Sequence, residues 1–532
     1  MARLNLESDG PISLMGLPFK KKQLEEYFLI LASALLVFLS FPKISWSILA
    51  WGAFLPLLKS IEGQPAGKRF RLGYLFGVAY SLGVFYWVTH SMHYYGGLDT
   101  VTSYSILLLM VFYLALYTGA FAWLWGLLPS EGLFSLLWAP SIWVGLEFLR
   151  AYLLTGFPWE LLGYSQYNYL PVVQIAEITG VWGVSFLIVL VNQTLFQLFL
   201  AHGPLKKRSR KWQAGAFTAF LVFLTILFGY QTLSKQKQRD QQVPSLKVAV
   251  IQGNIDQSLK WNPAFQEKTI NLYKDLTLKY GAEAADLIIW PETAVPFYFL
   301  SENRLTPQMF QLTQRTGSHL LFGSPAASHQ GRELQFFNRA YLLSPEGRMS
   351  FYDKVHLVPF GEYVPLKKWL PFVGKMVQAI GDFKPGPGSN GLDHPKGKVG
   401  VLICFETIFP ELSRAYSREG CRLLVNMTND AWFGKTSAPY QHLSMLTFRA
   451  IENRVWVARA ANTGFSAIID STGRITERFP LFETGGIYAT IPLREDKTFY
   501  ARHGDLIIVF CGLIFLLGIT LRLVKTKRGV RL

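Results

Sequence analysis

The sequence predicts a multi-span α-helical membrane domain joined to an α/β layered domain, and three observations carry that expectation. Long uncharged apolar windows fill most of residues 27–232, charge and short β-rich runs return between 245 and 495, and a last apolar window lies at about 506–521. Only 16% of the 532 residues are charged, against roughly 25% in ordinary soluble domains, while 50% are hydrophobic and 15% aromatic. The formal net charge of +17 is compatible with nucleic-acid binding, but its distribution argues for topology instead. The basic residues gather beside apolar runs, as in Lys20-Lys21-Lys22, Lys206-Lys207-Arg208-Ser209-Arg210-Lys211 and Lys525-Thr526-Lys527-Arg528. Such clusters bind anionic headgroups and set orientation. The extramembrane part has no basic-aromatic module, so no nucleic-acid partner is expected.

The apolar windows lie at about 27–42, 45–60, 73–93, 101–128, 132–150, 181–202, 214–232 and 506–521. A span needs about 20 apolar residues, so the sequence suggests eight, three of them short. With 1–26 in the cytoplasm, Lys68-Arg69-Phe70-Arg71, the 206–211 cluster and the 525–532 tail all fall inside, while loops 94–100 and 154–180 fall outside and carry no Lys or Arg. The expected domains are therefore a seven-span unit at 27–232, an external domain at 245–495 and a C-terminal span at 505–524. The first apolar run leads straight into the next, which fits a cleaved signal peptide poorly.

Within 245–495, Val248-Ala249-Val250-Ile251, Leu287-Ile288-Ile289-Trp290, Val399-Gly400-Val401-Leu402-Ile403 and Leu423-Leu424-Val425-Asn426 read as strands. Near-continuous apolar strands suit a sheet covered on both faces. Ile270, Tyr273, Leu276 and Tyr280 recur at helical spacing, and Pro410 to Glu419 and Pro439 to Asn453 are further helix candidates. Strands alternating with helices give layers.

Three cysteines, Cys404, Cys421 and Cys511, supply neither a disulfide framework nor metal-ligand spacing, and no metal or cofactor is expected. Cys511 sits in an apolar run. Cys404 ends a strand and precedes a turn into a helix, a junction where a nucleophile is exposed at a sheet edge and helix N–H groups favour thiolate. Taken alone, a buried strand cysteine is the commoner explanation. Two carboxylate-bearing segments change the balance: Trp290-Pro291-Glu292-Thr293-Ala294 follows another strand, and Lys354 precedes Glu362 in Tyr352-Asp353-Lys354-Val355-His356-Leu357-Val358-Pro359-Phe360-Gly361-Glu362.

The order Glu292, Lys354, Cys404 across α/β strands resembles the nitrilase, or carbon–nitrogen hydrolase, superfamily over roughly 245–495. That resemblance implies an αββα sandwich with a Glu-Lys-Cys triad. Within the superfamily, the flanking spans, Gly361-Glu362-Tyr363-Val364-Pro365, Cys404-Phe405-Glu406, Gly156-Phe157-Pro158-Trp159 and Asn429-Asp430-Ala431-Trp432-Phe433-Gly434 look like the apolipoprotein N-acyltransferase family. The likeness implies Glu292 as general base, Lys354 as oxyanion stabiliser and Cys404 as nucleophile, with Glu362 and Glu406 as supporting acids. Phe405 fills a position where the family often has an aromatic, here without a hydroxyl. Trp432 and Trp261 match aromatics near the mouth of the site.

A free thiol near pKa 8.5 and a free carboxyl near 4.3 make proton transfer uphill by about four units, roughly 6 kcal/mol, and a neighbouring ammonium narrows that gap. The reaction the resemblance implies is ping-pong acyl transfer. A membrane phospholipid acylates Cys404, and the α-amino group of a diacylglyceryl-cysteine on an apolipoprotein takes the chain, outside a bacterial inner membrane on its periplasmic side. Residues 359–383 mix aromatics with Lys367, Lys368 and Lys375 and read as an amphipathic arm on the membrane. Glu147 and Arg150, near a span end, either pair or line a cavity. Two rivals remain at this level: a membrane-tethered amidase or nitrilase using water on a small substrate, and a non-catalytic membrane scaffold. Seven spans exceed what a tether needs, and a degenerate scaffold predicts a missing triad member.

Overall fold

The computed structural model describes residues 12–14, 17–19, 21–128, 133–201, 208–280, 285–301, 304–330, 333–363, 383–388 and 390–527. The expected arm falls largely on 364–382, outside the described residues, as do Lys206 and Lys207 of the basic cluster.

Among the described residues, five helices are long and apolar enough to cross a membrane: Lys21–Ser40, Thr100–Trp125, Val181–Leu200, Lys211–Asp240 and Leu506–Val524. A sixth crossing results if Ala66–Phe85 and Val88–Tyr95, bent by 55°, count as one. The helix Leu133–Tyr152 occupies the window expected at 132–150. The window at 45–60 differs from expectation. It is a 3-10 turn, Ser47–Trp51, followed by a short helix, Leu55–Ile61. The buried amide of Asn192 takes up the break, accepting from the Phe54 N–H at 2.8 Å and donating to the Ala50 carbonyl at 2.8 Å. Freed backbone groups need such partners where water is absent.

Small residues set the closest helix approach. A Cβ placed on Gly73 would lie 2.4 Å from the Ala122 Cβ, and one on Gly77 would lie 2.0 Å from the Thr118 hydroxyl. The four-residue spacing lets the two backbones meet, the device membrane helices use when apolar lipid removes any hydrophobic drive.

The extramembrane part contains β1 (Ser245–Gln252), β2 (Leu287–Ile289), β3 (His319–Gln330), β4 (Glu333–Leu343), β5 (Met349–Asp353), β6 (Val399–Ile403), β7 (Leu423–Thr428), β8 (Trp456–Ala461), β9 (Ala467–Ile469), β10 (Ile475–Arg478) and β11 (Gly485–Pro492). One sheet has the order β11-β1-β2-β3-β4-β5, the other β10-β9-β8-β7-β6. β1, β2 and β3 run parallel, as do β6, β7 and β8, with antiparallel strands outside them.

Strand alternation builds the layers. Val248 and Val250 of β1 face the second sheet in a core with Val401, Val425 and Val457. Ala249 and Ile251 face outward onto Ile270 and Tyr273 of the helix Pro263–Lys279. Helices Pro410–Arg418 and Ala438–Asn453 belong to the other outer layer, so the domain is an αββα sandwich.

Ala438–Asn453 is buried nearly all round because it serves two cores. Leu443 and Leu446 join the sheet core, while Met445, Phe448 and Ile451 join the membrane-helix core with Phe405, Ile408 and Phe409. Gln441 of this helix accepts from the indoles of Trp87 and Trp159, both at 2.9 Å, and donates to the Val84 carbonyl at 3.1 Å. Glu147 and Arg150 hold the loop that follows their helix. Glu147 accepts from the Leu162 N–H at 2.7 Å, and Arg150 donates to the Trp159 carbonyl at 3.3 Å. All three cysteines are free and buried.

Candidate active site

The residues singled out in the sequence gather at the carboxyl ends of β2 and β6 and just past β5. Cys404 leaves β6 with φ +50°, a left-handed conformation that costs a non-glycine residue about 1–3 kcal/mol and persists only where its surroundings enforce it. Here two groups do so. Glu406 is fully buried, and its Oε2 accepts from the Ile403 N–H at 2.7 Å. Its Oε1 accepts from the Val355 N–H at 2.7 Å, the His356 N–H at 3.1 Å and the Tyr352 hydroxyl at 2.8 Å. One carboxylate thus ties the nucleophile turn to the segment that carries Lys354. Burial pushes the Glu406 carboxyl up to about 7 against the pull of Lys354 and these donors. The second restraint is on the Cys404 carbonyl, which accepts from the Thr407 hydroxyl at 3.0 Å and lies 3.1 Å from His442 Nε2.

Glu292 follows β2 in a turn packed on β3. A Cβ on Gly323 would lie 2.8 Å from the Glu292 Cα, so only glycine admits this approach. Glu292 Oε1 accepts from the Asn338 amide at 2.8 Å, and Oε2 from the Asn429 backbone N–H at 3.0 Å. Lys354, 1% exposed, sits 3.8 Å from Glu292 and 2.9 Å from Glu362. Asn338 also donates to Glu362 at 2.7 Å, and the Val358 N–H reaches Glu362 at 2.8 Å. Burial works against the Lys354 ammonium, but the carboxylates of Glu362 and Glu292 outweigh it and hold its pKa above the ordinary lysine value.

The thiol departs from the expected thiolate. Burial, reinforced by the negative charge of Glu292, pushes the Cys404 pKa up, and the opposing charge of Lys354 does not compensate. Removing water from a sulfur anion outweighs one ammonium, so burial opposes ionisation of this thiol.

Sequence reasoning missed several partners. Lys260 is buried and donates to the Glu292 carbonyl at 3.2 Å, and burial lowers its pKa to about 8 against the pull of Glu292 and Cys404. Asn338 follows Phe336 and Phe337 in β4 and is buried, and buried polar side chains need partners. Behind Cys404, Asp430 stands 3.1 Å from His442 Nδ1 and accepts from Arg459 at 2.6 Å, all three fully buried. Arg459, with His442 and Thr428, outweighs the burial of Asp430 and holds its carboxyl well below the usual range, while burial and Arg459 lower the His442 pKa. No spacing in the sequence joins Asp430, His442 and Arg459.

The supporting aromatics fall at different places. Phe405 packs on Phe409 and His356, at ring distances of 5.2 and 5.9 Å. Trp432 meets Tyr95 of the bent membrane helix edge-on at 5.3 Å, and its carbonyl accepts from the Ser91 hydroxyl at 2.7 Å. Trp261 is half-buried beside Lys260. Trp159 stacks on His442 at 5.6 Å, so a residue from the membrane half touches the network behind the nucleophile. Among the described residues no group of three or more His, Cys, Asp or Glu side chains is arranged to hold a metal ion.

Known proteins match both halves. Residues 33–194 match the apolipoprotein N-acyltransferase N-terminal domain, and residues 247–497 match the carbon-nitrogen hydrolase family. An apolipoprotein N-acyltransferase of Geobacter metallireducens is 46% identical over 91% of this chain and 93% of its own. One from Pseudomonas syringae pv. tomato is 34% identical over 81% of this chain and 83% of its own. One from Pasteurella multocida is 33% identical over 93% of this chain and 95% of its own. Identity at that level, sustained through the membrane helices and the sandwich alike, means that this chain belongs to the apolipoprotein N-acyltransferase family.

Proposed function

We propose that the protein moves a fatty acyl chain from a membrane phospholipid to the α-amino group of an N-terminal S-diacylglyceryl-cysteine, with Cys404 as the acyl carrier, on the periplasmic side of a bacterial inner membrane. The observation that carries this reading is the grouping of Glu292, Lys354 and Cys404, with Phe405 next to the sulfur packed into the core of the membrane helices. Family membership supplies the substrate pair.

Glu292 takes the thiol proton as the sulfur attacks the ester carbonyl, so the thiolate need not exist beforehand. The tetrahedral oxyanion faces the Lys354 ammonium and the Phe405 N–H, donors worth on the order of 3 kcal/mol each in such sites. Collapse breaks the ester C–O bond, and the departing lysophospholipid oxygen takes the proton from Glu292. In the second half the neutral amine attacks the thioester, Glu292 receives its proton, and the sulfur leaves and is reprotonated. Atoms and charge balance without a cofactor.

Intact-mass spectrometry of the full-length protein incubated with phospholipid tests this. One acyl chain should appear on the wild type, with lysophospholipid released, and none on Cys404→Ala. A cysteine that stays unacylated while the protein hydrolyses small amides would replace the reading with a membrane-tethered amidase.

A further inference from the structure

A cavity of about 300 Å³ lies where the helix Arg208–Asp240 meets the sandwich, and neither Glu292, Lys354 nor Cys404 lines it. That volume is at the lower end of ordinary ligand clefts, about 300–1,000 Å³. The helix contributes Phe228, Thr232, Lys235, Gln236 and Arg239, residues that repeat along one face. The sandwich side contributes Arg454, Arg494 and Lys497. Five cationic side chains thus line the space against two carboxylates, Glu177 and Asp496.

Those carboxylates are already engaged. Glu177 accepts from Arg454 Nε at 2.5 Å, and Asp496 is shared between Arg494 and Arg239, the latter at 3.2 Å. Arg454 also donates through Nη1 to Gln174 at 2.7 Å and to the Ser471 carbonyl at 2.8 Å. Its Nη2, buried, has no hydrogen-bond partner among the described residues. A buried charged donor left unmatched is costly. Arg494 also reaches Asp240 at 3.4 Å, yet five cations against three carboxylates still leave a surplus of positive charge that calls for an anion.

The apolar flank identifies the kind of anion. Phe220, Phe223 and Leu224 of the same helix are 57%, 60% and 40% exposed and face lipid. Phe228 and Phe499 then enter the cavity wall. From Phe228 to Lys235 the helix rises about 10 Å, enough to cross the interfacial layer of roughly 5–8 Å per leaflet between acyl chains and water. A free anion has no use for that flank; a lipid phosphate with its chains along the helix uses both parts.

We propose that this cavity holds the phosphate of a membrane phospholipid that is retained rather than consumed, seated between the Arg208–Asp240 helix and the sandwich. The site is independent of acyl transfer and is read on Cys404→Ala protein, so its failure and that of the proposed reaction are distinguishable. The probes are phosphatidylglycerol, diacylglycerol and inorganic phosphate, titrated against full-length Cys404→Ala protein in mild detergent and followed by native mass spectrometry. Phosphatidylglycerol should outlast diacylglycerol, and adding Lys235→Glu with Arg239→Glu should weaken its retention by about tenfold or more. Lys235→Gln with Arg239→Gln, a gentler pair, should give an intermediate loss and serves if the reversal fails to fold. Equal retention in wild-type and altered cavities overturns the site. Inorganic phosphate bound as tightly as the lipid, and displacing it, overturns the lipid assignment in favour of a free-anion site.

Discussion

The two sides of the Cys404 pocket are built to different tolerances. On the nucleophile side, both oxygens of Glu406 are filled by four donors, and the Cys404 carbonyl is approached by both Thr407 and His442. On the acid–amine side, Lys354 lies nearer to Glu362 than to Glu292, and Asn338 divides its amide between the two carboxylates. The Asn338 side-chain carbonyl oxygen is buried without a partner among the described residues. Bond formation needs the sulfur in one place, whereas proton and charge movement needs groups that can shift by fractions of an ångström. In the proposed reaction, this contrast would separate a fixed nucleophile from an adjustable proton-handling pair.

The sharpest way to break this contrast is Lys354→Met. Loss of an oxyanion donor should slow thioester formation by about 10²–10³-fold, measured as single-turnover lysophospholipid release. A loss below tenfold would mean that the ammonium serves Glu362 and not the oxyanion. Next comes Glu406→Gln, whose amide NH₂ must face at least one donor, leaving a buried polar group unmatched at about 1–3 kcal/mol. Melting temperature and acylation rate should fall together in thermal unfolding and single-turnover assays. A slowed rate with unchanged melting would place Glu406 at the reacting atoms and not at the turn.

His442→Gln probes the same side more gently. It removes one contact to the Cys404 carbonyl and leaves that of Thr407, so kcat should fall by about tenfold or less, the weight of one hydrogen bond near 1 kcal/mol. KM for phospholipid should stay unchanged, as expected of a positioning residue. The smallest effect belongs to Lys260→Gln. With a pKa of about 8, Lys260 is cationic below that pH and favours the thiolate, and this help is lost as pH rises through 8. The pH profile of Cys404 alkylation should therefore bend near pH 8 in the wild type, and that bend should vanish in the variant.

What the sequence reveals follows from what is local. Periodicity of apolar residues locates strands such as Val399–Ile403 and helices such as Pro263–Lys279, because each buries one or two faces and must say so in its spacing. The 45–60 window misled because composition does not register a break when a distant Asn192 satisfies it. Glu292, Lys354 and Cys404 are legible because each sits in its own motif beside a strand. Lys260 and the Asp430–His442–Arg459 network are not, since their partners are set by how two sheets stack. The thiol's raised pKa was hidden for the same reason: burial is a property of the assembled fold, and the Lys354 charge alone suggested the opposite sign. The Arg454 cavity is further removed still, because it exists only where a membrane helix and the sandwich meet.

The helix Ala438–Asn453 carries a practical consequence. Its Met445, Phe448 and Ile451, with Phe405 and Phe409 beside them, complete the interior of the membrane half. Cutting the sandwich free would leave that greasy underside in water and strip Trp159 from its seat on His442. Excision at the loop boundaries should therefore yield a fragment prone to aggregate, with Cys404 lacking its backing, so the bilayer portion forms one wall of the Cys404 site and not merely an anchor.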